Sequence, residues 1–149
     1  EDSGRPRLLS TSKHPFAREP APSVVDVDRD GWLDLVFATG RSDDDRAIWL
    51  AYNDGKGGFD LANAVALSTG IAATRSYAIS NSSRMYILSS SGVTQLDCSS
   101  SRQIEPKQVQ GVGGGQSIAA GDLTGDGLVD LVIGDESAVS VYPGKPVVR

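Results

Sequence analysis

The chain is poor in most of what builds large helical, disulfide-bonded or nucleic-acid-binding proteins. It has one cysteine, Cys98, so no disulfide can close within it. It has one histidine, His14, in a proline-flanked stretch, and no catalytic triad can be assembled around it. Aromatic residues are only 6% of 149 residues, and no apolar run approaches the ~20 residues that span a bilayer. Positive charge is also short: 14 Lys and Arg against 19 Asp and Glu leave a net charge of −5, which excludes a surface built to neutralise phosphates. Glu1 is followed by no signal-peptide pattern and there is no initiator Met, so the expectation is a processed or excised chain.

What is present is glycine (17 residues), serine and a 39% hydrophobic content with 22% charge. That supports a core in about one domain. It also suits many short strands joined by tight turns, hence an all-β fold.

An internal repeat stands out. Residues 23–40 and residues 119–134 each carry a short apolar stretch, then D-x-[DT]-x-D-G-x-x-D, then a β-rich apolar run ending in glycine. The first aspartates, Asp26 and Asp122, lie 96 residues apart, twice a spacing of 48. That spacing falls near the ~40–50 residues of propeller-type repeats. A degenerate middle copy is expected between them, at Tyr77–Ser89, with the acids missing.

Each unit divides into short strands. The first is expected at Ser23–Val27, Leu33–Thr39, Ala47–Tyr52 and Phe59–Leu67, with a hairpin signal at Asn53-Asp54-Gly55. The second is expected at Arg75–Ser80, Met85–Ser89, Val93–Asp97 and Gln103–Val109. The third is expected at Gln116–Gly121, Val129–Gly134 and Ala138–Tyr142, without an outer strand. No helix is expected, since Leu61–Leu67 alternates nearer to period two. The layout reads as residues 1–19, an outer strand (Arg7–Ser10) of a neighbouring blade plus linker; 20–70, an acidic-loop blade; 71–111, a degenerate blade; and 112–149, an acidic-loop blade lacking its outer strand. The fold class is therefore all-β, with about three propeller-type blades belonging to a larger ring.

The two nine-residue loops carry the chemistry. Oxygen donors at positions 1, 3, 5 and 9 can wrap a hard cation, and Ca²⁺ takes about 6–8 oxygens in flexible geometry. Glycine at position 6 permits the turn that brings the position-7 carbonyl round. The first loop nominates Asp26, Asp28, Asp30, the Trp32 carbonyl and Asp34; the second nominates Asp122, Thr124, Asp126, the Leu128 carbonyl and Asp130. Thr124 is neutral, so the second site should bind more weakly. An EF-hand is excluded, because its position-12 glutamate is replaced by Phe37 and Ile133 inside β-type runs.

These loops, with the glycine-rich Asn53-Asp54-Gly55-Lys56-Gly57-Gly58-Phe59, resemble the FG-GAP/VCBS repeat family of integrin-α-like β-propeller blades. The resemblance covers roughly residues 20–143. It implies four-stranded blades, calcium between the first two strands, and extracellular or cell-surface roles in adhesion or glycan binding. The middle unit departs from the pattern, with Asn81 and neutral residues in place of the acids, so no calcium is expected there.

The remaining candidates are bland by comparison. Gly111–Gly115 lacks the helix and Lys-Ser/Thr of a phosphate cradle, so crowded backbone is the expectation. Asn81-Ser82-Ser83 is a glycosylation sequon for Asn81. Cys98 is expected as a quiet thiol and Asp43–Asp45 as a solvated loop; Trp32 and Trp49 could stack on sugar rings, but Trp49 alternates into a strand and is expected in the core. With no catalytic constellation, the expected function is a secreted, calcium-stabilised, non-enzymatic module with two Ca²⁺ sites and a glycan or protein ligand. It would self-associate or join the remainder of a longer propeller chain. The alternative is a non-catalytic propeller segment of a secreted carbohydrate-active enzyme.

Overall fold

Among the described residues, β-branched runs broken by Gly, Asn and Asp give eleven short strands and a single 3-10 turn. The computed structural model describes residues 21–40, 46–68, 70–71, 74–81 and 84–145. The expected strand Arg7–Ser10, His14 and Asp43–Asp45 lie outside the described residues.

The strands form three antiparallel meanders in chain order. The first sheet holds β1 (Ser23–Val25), β2 (Asp34–Thr39), β3 (Ala47–Ala51) and β4 (Val65–Ala66). The second holds β5 (Thr74–Asn81), β6 (Arg84–Ser89), β7 (Gly92–Cys98) and β8 (Ile104–Gln108). The third holds β9 (Ser117–Gly121), β10 (Asp130–Gly134) and β11 (Val139–Tyr142). The chain is thus all-β, and no ring closes among the described residues.

The sheets stack face to face, as the alternation of β6 makes plain. Met85 and Ile87 join Val36, Ile48 and Leu50 in a core between the first and second sheets. Tyr86 and Leu88 point the other way, to Leu131 and Ile133 between the second and third. A strand covered on both sides needs apolar residues at every position, and Met-Tyr-Ile-Leu meets that need. Polar ties cross the first of these junctions. The Tyr77 hydroxyl on β5 donates to the Ala21 carbonyl at 2.6 Å, and Arg46 Nη1 donates to the Arg75 carbonyl at 2.7 Å.

The Gly111–Gly115 stretch is crowded backbone. A Cβ on Gly114 would collide with the Ser90 carbonyl, and one on Gly115 with the Ile133 side chain. The main correction falls on Phe59–Leu67. Phe59 makes only an isolated bridge to Asn53, and a 3-10 turn occupies Leu61–Asn63. Only Val65–Ala66 pairs with β3. The cause is local: Asp60 caps the turn, its carboxylate accepting from the Asn63 backbone N–H at 3.2 Å and from Asn63 Nδ2 at 2.7 Å.

Candidate metal centre

The two acidic loops occupy the same place in their sheets. Val25 at the end of β1 pairs with Asp34 at the start of β2, and Gly121 at the end of β9 pairs with Asp130 at the start of β10. Each loop therefore runs from one paired residue to the next over the same length. In the middle sheet Asn81 pairs directly with Arg84, so the connection is too short for such a loop.

Inside each loop the first aspartate holds the turn. Asp26 accepts from Asp30 N at 3.1 Å and Gly31 N at 3.0 Å; Asp122 accepts from Asp126 N at 3.2 Å and Gly127 N at 2.9 Å. The fifth residue repeats the pattern, with Asp30 accepting from Trp32 N and Asp126 from Leu128 N. The glycines at position 6 adopt left-handed backbone, φ 93° at Gly31 and 80° at Gly127.

The ninth residue does something the motif does not announce. Asp34 Oδ2 accepts from Val27 N and Oδ1 from Asn53 N, both at 2.9 Å. Asp130 Oδ2 accepts from Leu123 N at 2.8 Å and Thr124 N at 3.0 Å, and Oδ1 from Gly144 N at 2.7 Å. Each carboxylate is buried and clasps its loop to the segment that leaves the third strand of its sheet.

Charge separates the two loops. Asp26, Asp28 and Asp34 present oxygens that all lie within 4.8 Å of one another, close enough for one ion. Asp28 is 3% exposed and Asp34 fully buried. Burial raises the Asp34 pKa, against hydrogen bonds from Asn53 and Val27 that lower it, and the charges of Asp28 and Asp30 raise it further. In the second loop the position of Asp28 is taken by Thr124, whose backbone and side chain both help to lower the Asp130 pKa, behind the larger effect of Gly144. Among the described residues, no metal-sized cluster of carboxylates forms in the second loop. Asp30 also stands outside the first cluster. The donor set of the first loop, hard oxygens around buried negative charge, fits Ca²⁺; backbone N–H groups engage the first, fifth and ninth aspartates of both loops alike, and what the second loop lacks is the third-position carboxylate of Asp28.

One residue at this centre is invisible to motif reading. Arg102, 74 residues from Asp28, donates from Nε to Asp28 Oδ2 at 2.7 Å. Its Nη2 lies 3.6 Å from Asp30 Oδ2, and its guanidinium stacks 4.2 Å above the Tyr52 ring. Arg102 comes from the β7–β8 turn of the second sheet, where Arg102 N donates to the Ser99 carbonyl at 2.9 Å. Its backbone is left-handed, φ 61°, which costs a non-glycine residue roughly 1–2 kcal/mol.

The other candidates are placed as follows. Trp32 is half-exposed beside the Asn53–Gly58 turn, against Gly55. Trp49 lies on the face of β3 turned away from the inter-sheet core, its Nε1 donating to Thr39 Oγ1 at 2.9 Å, which corrects the expectation of a core position. Cys98 is a buried thiol, its pKa pushed up to about 11 by burial. Asn81 ends β5. A cleft of about 600 Å³, which sequence reasoning missed, opens between the second and third sheets, with Tyr86, Gln95, Tyr142, Arg84 and Lys145 on its walls. Comparison with protein-family models, with curated proteins and with solved structures found no match to this chain.

Proposed function

We propose that this chain is a calcium-stabilised, non-enzymatic binding module of β-propeller-type blades, working outside the cell or at its surface. The observation that carries the reading is the repetition of one acidic loop at one register in two of three stacked meanders, with three carboxylates of the first loop within reach of a single ion. Asp26, Asp28 and Asp34 would hold that ion, with Asp30 and the Trp32 carbonyl beside them. The second loop, through Asp122, Thr124, Asp126, the Leu128 carbonyl and Asp130, would be the weaker site. A bound Ca²⁺ would neutralise the gathered charge and cross-link the loop. Sites of this kind in extracellular modules work at about 10⁻⁴–10⁻³ M calcium.

Two features support a binding or assembly role. Val139 and Val141 leave an apolar strip on the outer face of the third sheet, 72% and 51% exposed, which suits another blade from a second copy or from the rest of a longer chain. The cleft offers tyrosines, an amide and cations, a lining suited to a glycan or a polar peptide segment.

Thermal melting in excess chelator and in millimolar calcium tests the core of the reading. Calcium should raise the melting temperature, and Asp26→Ala should remove more of that rise than Thr124→Ala. Identical melting curves in chelator and calcium would sink the calcium assignment. A glycan array on the calcium-loaded chain, with Tyr142→Ala as control, then separates a glycan ligand from a protein one.

A further inference from the structure

The first loop gathers three aspartates, and while backbone N–H groups answer Asp26 and Asp34, the buried Asp28 calls for a cation. The structure already contains one. We propose that Arg102 is a built-in counter-cation of the first loop, which a divalent ion must displace from Asp28, so that ion binding is coupled to the contact between the first and second sheets.

Three observations converge on this role. First, the guanidinium engages Asp28, one of the three carboxylates that cluster closely enough for an ion. The bond from Arg102 at 2.7 Å takes up acceptor capacity of Asp28 Oδ2 and sets a positive charge beside it, so a metal ion competes with the guanidinium for that oxygen. Second, the arm is deliberately presented. It leaves a turn pinned by Ser99, lies on the Tyr52 ring, and occupies a left-handed backbone position that suits Gly or Asn better than Arg. Third, the second loop serves as an internal comparison. Thr124 replaces Asp28 there, and among the described residues no Arg or Lys pairs with its carboxylates. The cation accompanies the extra charge.

The inference rests on the calcium reading of the first loop, and one set of titrations separates the two. Calcium is titrated calorimetrically into the metal-stripped chain, its Arg102→Asn variant and an Arg84→Gln control that removes a different ion pair, with Asp97. Asn tolerates the left-handed backbone, so Arg102→Asn removes the charge without straining the turn. Arg102→Asn should bind calcium about tenfold tighter, which is ~1.4 kcal/mol, with Arg84→Gln unchanged. In chelator its melting temperature should fall, and calcium should restore more than it does in the parent. Tighter binding should vanish when Asp28→Asn is added. Equal or weaker affinity in Arg102→Asn, with the same thermal loss in chelator and calcium, overturns the proposal and leaves a plain ion pair. Absence of calcium binding in every variant overturns the calcium reading and the proposal with it. If Arg102→Asn does not fold, Arg102→Lys, which keeps the charge but loses the planar fork, should bind severalfold tighter than the parent; unchanged affinity there also overturns the proposal.

Discussion

Replacing Asp34 with alanine tests whether the ninth residue of the loop is a backbone clasp in its own right, apart from any ion. Asp34 is fully buried and accepts two backbone N–H groups at 2.9 Å, from Val27 and Asn53. Alanine strands both donors. Val27 is 1% exposed, so water cannot reach its N–H without opening the turn, and its loss costs about 2–3 kcal/mol. Asn53 is partly exposed and can recruit water, so about 1 kcal/mol or less is lost there. Against this, alanine also removes a carboxylate crowded by Asp28 and Asp30, which returns about 1 kcal/mol. The net expectation is a loss of about 1–3 kcal/mol for Asp34→Ala. Asn at 34 keeps one acceptor oxygen and also removes the charge, so Asp34→Asn should lose only about 1–2 kcal/mol. Urea denaturation at neutral pH in excess chelator measures both, and an unchanged m-value would show that the same transition is being compared. Equal losses for the two variants, or an alanine loss under about 1 kcal/mol, would refute the clasp.

The stacking of the sheets predicts that Ile87→Ala and Leu88→Ala, neighbours on β6 facing opposite cores, each cost about 3 kcal/mol; a loss under about 1 kcal/mol at either would mean that one face of the second sheet is open. Asp97 gives a pH test. Partial burial pushes its pKa up, but the Lys107 ammonium, the Gln95 amide and Arg84 overcome that and hold it below the ordinary value of 3.8. A carboxylate whose folded pKa is depressed adds stability above the unfolded pKa and loses it as pH falls through the folded one. The stability difference between the parent and Asp97→Asn, at most about 1 kcal/mol for so exposed a pair, should therefore hold at neutral pH and shrink below pH 4; a difference that grows on acidification would reverse the sign of the argument.

Local chemistry is what a single sequence reveals most directly. Ten of the eleven observed strands fall within a residue or two of the expected runs, because period-two alternation and Gly, Asn and Asp turns act over a few residues. The left-handed Gly31 and Gly127 were readable for the same reason, as the sixth residue of each loop. Even the failure at Phe59–Leu67 left a local trace, since Asp60 and Asn63 stand at capping distance in the sequence.

The inequality of the two loops was another matter. Thr124 in place of Asp28 announces one charge fewer, but no pattern of nine residues says that the ninth aspartate of each loop clasps a distant backbone N–H, or that Asp28 gathers with Asp26 and Asp34 under an arginine. The partners that decide this, Asn53 and Gly144 at the exits of the third strands and Arg102 from a neighbouring sheet, lie 14 to 74 residues away. They arrive only through strand register and sheet stacking. By itself the sequence determined where strands and acidic turns would form, since those depend on neighbours along the chain. Which face of β6 meets which core, and which loop receives an arginine from the neighbouring sheet, was decided by tertiary structure, because buried charge is balanced by whatever the packed sheets bring beside it.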